Sequence, residues 1–95
     1  MSTKDAMIQK AEARLKQINA EVDRLKAKAE EADADMKIRA QEELAEVKKK
    51  RTAFENRISE LKSAGDEAIA DLRDGFERAW TSLAESVERA AARFS

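Results

Sequence analysis

The chain has 95 residues, 41% of them charged and 42% hydrophobic, with no proline, cysteine or histidine and only two glycines, Gly65 and Gly75. That length holds one structural unit at most. Disulfide and thiolate chemistry are excluded, and the commonest general base and metal ligand is missing. Twenty acidic residues nearly cancel nineteen basic ones, leaving a net charge of −1, so no overall field draws the chain to nucleic acid or to an anionic membrane.

Tight turns lean on Gly, Pro, Asn and Asp, and this chain is instead built mainly from Ala, Glu, Lys, Arg and Leu, the composition of long helices and coiled coils. The expected fold is therefore all-α. The first residues, Met1-Ser2-Thr3-Lys4-Asp5, run straight into charged sequence without the apolar stretch of a secretory signal. Uninterrupted apolar runs reach only two or three residues, against the ~20 that span a bilayer. The expected location is the cytoplasm, with no transmembrane segment.

Residues 1–62 read as one coiled-coil helix. Ile8, Ala11, Leu15, Ile18, Val22, Leu25, Ala29, Ala32 and Met36 follow at alternating steps of three and four, which is the heptad seam of a left-handed supercoil. In a parallel pair of such helices Glu21 would face Lys26 of the second strand and Lys28 would face Asp33. After Met36 the apolar positions move to Ala40, Leu44 and Val47, a stutter over 36–47 that locally unwinds a supercoil. The basic run Lys48-Lys49-Lys50-Arg51 follows. Four consecutive residues fan around a helix rather than forming a stripe, and Glu42, Glu43, Glu46 and Glu55 lie beside them at helical spacing. The run reads as a solvated face, and no nucleic-acid partner is expected.

From Phe54 the pattern repeats every 11 residues, in segments beginning at Phe54, Gly65, Phe76 and Val87. The aligned apolar columns hold Ile58, Ile69, Trp80 and Ala91, and Leu61, Leu72, Leu83 and Phe94. Eleven residues over three turns give a nearly straight apolar stripe, wider than a heptad seam. Composition changes at Gly65. Residues 1–65 carry every lysine and a net charge of +2 (15 basic, 13 acidic), whereas residues 66–95 carry −3 (four basic, seven acidic). Lys62, Gly65, Asp66 and Glu67 resemble helix-end signals, with Gly65 suited to a left-handed position and Asp66 to an N-cap. The expectation is a helical hairpin: a heptad helix over 1–62, a turn at 63–66 and an amphipathic helix over 67–95. The alternative is one continuous helix of about 135 Å, with glycine tolerated inside it.

The stripe must be covered. The candidate functional surface is thus a helix–helix interface made of Ile8, Leu15, Ile18, Val22, Leu25, Met36, Leu44, Val47, Phe54, Ile58, Leu61, Ile69, Leu72, Phe76, Trp80, Leu83, Val87 and Phe94. Self-association as a dimer or tetramer, an intramolecular hairpin, or both would cover it, and docking on a larger protein assembly is compatible with the same surface. Acidic neighbours such as Glu30-Glu31 and Asp33/Asp35 sit on polar faces, with no pocket to perturb them for acid–base work. Thr81 and Ser82 have no base beside them. No catalytic residue, metal ligand or cofactor site is assigned, and a non-enzymatic structural or adaptor coiled coil is expected.

Two resemblances accompany this reading. The 11-residue amphipathic repeats resemble, in architecture, those of exchangeable apolipoproteins, which implies a lipid- or granule-surface protein as the alternative function. The −3 charge of that segment opposes binding through anionic headgroups. The segment Asp71-Leu72-Arg73-Asp74-Gly75-Phe76-Glu77-Arg78-Ala79-Trp80, with Leu83, Ala84 and the ending Ala91-Ala92-Arg93-Phe94, looks like that of a group of small uncharacterised bacterial coiled-coil proteins. That likeness implies a bacterial cytoplasmic protein and brings no activity, cofactor or catalytic residue.

Overall fold

A computed structural model describes residues 2–94. They form three helices, α1 over Thr3–Glu31, α2 over Ala34–Ser63 and α3 over Ile69–Ala92, with a single 3₁₀ turn at Asp66–Ala68 leading into α3. The molecule is a rod of 51 × 19 × 18 Å. The fold is all-α, as composition and periodicity require, and the turn after residue 62 is present. A continuous helix of about 135 Å does not fit within that long axis.

The expected single helix over 1–62 is two helices. Ala32 (φ −79°, ψ 162°) and Asp33 (φ −67°, ψ 170°) are extended, and the Asp33 carboxylate accepts a hydrogen bond from the Met36 backbone N–H at 2.9 Å. Aspartate favours such a cap over a helix interior, because its short side chain bonds nearby backbone. Asp35 in the first turn of α2 and Lys28 in the last turn of α1 match the positive and negative helix ends. At the other end of α1, Ser2 caps the Asp5 N–H at 3.1 Å. The apolar seam is weakest just before the break, at Ala29 and Ala32, so little burial holds the straight helix together there.

The second turn differs in detail from its expected form. α2 ends at Ser63, and Ala64 and Gly65 are extended (Gly65 φ −75°, ψ 161°), with no left-handed residue anywhere in the described chain. Asp66 opens the 3₁₀ turn and is not the cap of α3. Ser95, the final residue of the expected last helix, lies outside the described residues.

α2 runs antiparallel to both neighbours, so α1 and α3 are parallel. Long-range polar contacts fix this order. Arg51 of α2 meets Asn19 of α1 at 3.0 Å, Arg93 just past α3 meets Glu43 of α2 at 2.7 Å, and Arg14 of α1 meets Glu77 of α3 at 3.4 Å. Because Arg93 sits opposite Glu43, α2 begins about nine residues beyond the end of α3. The tip of the α1–α2 hairpin therefore projects by roughly two and a half turns.

The core lies along the axis where the three apolar faces meet. Phe54, Phe76, Leu25, Leu61, Leu83 and Val47 are its largest fully buried side chains. Phe54 is central, with its ring 5.2 Å from Phe76 and 5.5 Å from Trp80. Burial of each such side chain contributes about 1.5–3 kcal/mol.

Candidate interaction surface

The helix–helix interface expected from the sequence is largely this intramolecular core. Ile18, Val22, Leu25, Val47, Phe54, Ile58, Leu61, Ile69, Phe76, Leu83 and Val87 are buried in one cluster, and Ile8, Leu15, Leu44, Leu72, Trp80 and Phe94 are half-buried against it. Met36 is half-buried beside the first turn and stands outside the cluster. Ala11, Ala29, Ala40 and Ala90 are as deeply buried as the large residues, marking where small side chains let helix backbones approach.

Ser86 is an interior residue that the apolar columns of the repeat do not include. It is buried, and its hydroxyl donates to the Leu83 carbonyl at 2.7 Å. Satisfaction by its own helix is what lets a hydroxyl sit in an apolar core. Its place eleven residues after Gly75, on the edge of the repeat's stripe, was the available signal.

Around the core runs a belt of polar clasps, each joining two helices. Lys4, in the first turn of α1, donates from Nζ to the carbonyls of Lys62 at 3.0 Å and Ala64 at 2.7 Å. It thereby satisfies groups that the end of α2 leaves without helical partners. Lys62 also pairs with Glu12 at 3.4 Å. The Arg14 guanidinium carbon lies 4.8 Å from the Trp80 ring centroid while its NH1 meets Glu77, so one cation serves a ring face and a carboxylate together. The basic run divides: Lys48 and Lys49 are exposed, Lys50 reaches Ser82 and Glu46, and Arg51 reaches Asn19.

Within the chain, the charged residues expected to face a second strand have partners of their own. Glu21, expected to face Lys26 of a second strand, pairs with Arg24 on its own helix at 2.5 Å. That carboxylate raises the Arg24 guanidinium above its ordinary value, chiefly by the hydrogen bond and then by charge. Asp33, expected opposite a second strand's Lys28, caps α2 instead.

Comparison with family models, with curated proteins and with solved structures finds no match to this chain. The surface must be read from its own chemistry.

One open groove of about 590 Å³ follows the outer face of α3, lined by Asp74, Glu77, Arg78, Thr81, Ser82 and Glu85. Its lining comes from a single helix, with Arg14 of α1 and Lys50 of α2 reaching only Glu77 and Ser82 of it. Among the described residues no group of three or more His, Cys, Asp or Glu side chains is placed to hold a metal ion, and no helix is long and apolar enough to cross a membrane. Among the described residues, Ile38, 56% exposed near the projecting tip, is the exposed large hydrophobic residue.

Gly75 has a specific use. A Cβ there would lie 3.3 Å from the guanidinium carbon of Arg57. The missing side chain lets Arg57 of α2 lie across the backbone of α3 while its NH1 meets Glu60 at 3.3 Å.

Proposed function

We propose that this protein is a non-enzymatic structural or adaptor bundle that self-associates and brings proteins together. The supporting observation is how its side chains are divided. The apolar stripes of all three helices are used in one internal core, and the clasps around it tie the helices into a rod. The chemistry left facing outward is charged helix surface and a projecting hairpin tip. A rod with polar faces suits recognition by shape and charge complementarity, where modest contacts set partner choice. The resemblance of the Asp71–Trp80 segment to small bacterial coiled-coil proteins supports a bacterial cytoplasmic setting.

A lipid- or granule-surface role would require the α3 stripe to leave α2, exposing Phe54, Phe76 and Leu83 until lipid replaced the lost cover. Circular dichroism with and without phosphatidylcholine vesicles, paired with light-scattering mass, separates the two readings. High helicity in plain buffer, unchanged by vesicles, with a mass above one chain is the expected result. A monomer that becomes helical only when vesicles are added would overturn the adaptor reading in favour of the lipid one.

A further inference from the structure

The buried positions of α1 and α2 fall on one face of a helix that the structure does not form. α1 buries Ala11, Ile18, Val22, Leu25 and Ala29, and α2 buries Ala40, Val47, Phe54, Ile58 and Leu61. From Ala29 the series passes through half-buried Met36 to Ala40, in steps of seven and four. Those steps return to the same side of a continuous helix. If Ala32 and Asp33 were helical, the two faces would join into one uninterrupted stripe.

The intervening turn is only those two residues. It contains no glycine, no proline and no left-handed backbone, so nothing in its chemistry forbids a helix. It is held locally by the Asp33 carboxylate on the Met36 N–H and by the Ala32 N–H on the Ala29 carbonyl at 3.2 Å. The second turn is better secured. Gly65 opposes helix there, a 3₁₀ turn follows, and the Phe54, Phe76 and Trp80 rings bind α3 to α2.

We propose that Ala32–Asp33 is a hinge, and that the partner this protein is built to take is a second copy of itself. The proposal rests on the self-association part of the function stated above. Thr3 to Ser63 straightens into one helix of about 61 residues, roughly 92 Å long. The α1 half of each copy then docks on α2 and α3 of the other. The contacts of α1 re-form between chains: Arg14 with Glu77 and Trp80, Asn19 with Arg51, and Lys4 with the carbonyls of residues 62 and 64. Exchange gives up only the turn's own bonds and adds helical ones across it, which makes swapping a low-cost route to a dimer. Near the new two-fold the chains meet at Ala29, Ala32 and Met36. Two of these are small enough for close approach, and the third gains a cover it lacks in the monomer.

The test uses the full chain and two variants, refolded from denaturant over a range of concentrations, with mass read by light scattering and length by small-angle X-ray scattering. Ala34→Pro places proline in the first turn of α2, where it is favoured, after a residue already in the extended conformation that proline demands. It leaves the monomer intact and blocks the straight helix. Asp33→Ala removes the cap and raises helix propensity. The wild type should give a dimer fraction that rises with concentration and has a long dimension well beyond 51 Å. Ala34→Pro should stay monomeric with the wild-type helicity. Asp33→Ala should tighten the dimer about fivefold per chain, roughly 25-fold in its dissociation constant. If Ala34→Pro dimerises like the wild type, the hinge is overturned and self-association through outer faces stands. If neither the wild type nor Asp33→Ala dimerises at the highest concentration reached, both the hinge and the self-association reading fall.

Discussion

Trp80 shows how much one residue's environment decides. Its ring packs against Phe54 and also meets the Arg14 guanidinium, so it is both part of the core and part of its polar rim. The repeat placed it on the apolar stripe; the arginine above it comes from another helix and had no signal in the local pattern. Trp80→Glu removes the ring from Phe54 and puts a carboxylate at the edge of an apolar core. The expected cost is about 2–4 kcal/mol, seen as a lower urea midpoint with an unchanged slope. A midpoint equal to the wild type's would show that the ring contributes nothing to the core. At Gly75 the missing side chain leaves room for the guanidinium of Arg57, which comes from α2.

At the scale of helices, local signals and periodicity disagreed, and the local signals prevailed. Asp33 with Asp35 after it, and Lys28 before it, mark a helix end and a helix start. The heptad spacing passed over them because it remains in phase on both sides. Burial explains the outcome. A straight helix over 1–62 leaves its stripe in water until another chain arrives, whereas folding back covers it at once. The corner between α2 and α3 is held from a distance by Lys4. Lys4→Met keeps the aliphatic stem and removes the donor to two terminal carbonyls. It should lower stability by about 1 kcal/mol, the magnitude for a partly exposed hydrogen-bonding group, and speed amide exchange in the Leu61–Ala64 corner relative to the middle of α2. Equal exchange in Lys4→Met and the wild type would mean that the clasp does not hold that corner.

For the molecule as a whole, stability rests on the apolar axis more than on the ion pairs around it. Each pair between helices keeps at least one exposed partner, with side chains of Arg14 and Glu77 at 18% and 46%, of Lys62 and Glu12 at 56% and 55%, and of Arg93 and Glu43 at 43% and 23%. Exposed pairs contribute about 0–1 kcal/mol each and are screened by salt. Raising sodium chloride to about 1 M, where the Debye length is near 3 Å, should therefore leave the unfolding free energy within roughly 1 kcal/mol of its low-salt value. A loss of several kcal/mol would show that the clasps, and not the Phe54-centred core, hold the rod together.

Periodicity along the chain was enough to establish that this protein is helical and which face of each segment is hidden, while the turn after Lys62 was marked by the end signals at Lys62, Gly65 and Asp66 and not by the repeat, which runs through them in phase. The first two are matters of neighbours three, four, seven and eleven residues apart, and any continuous helical segment expresses them. The same periodicity could not say which helix covers which. One stripe is satisfied equally by a second chain or by the same chain doubled back at Ala32. That choice depends on contacts between residues 30 to 60 positions apart, such as Asn19 with Arg51 or Lys4 with Ala64. Within one chain those contacts form without the loss of translational and rotational freedom that joining two chains requires, and only the tertiary structure records the result.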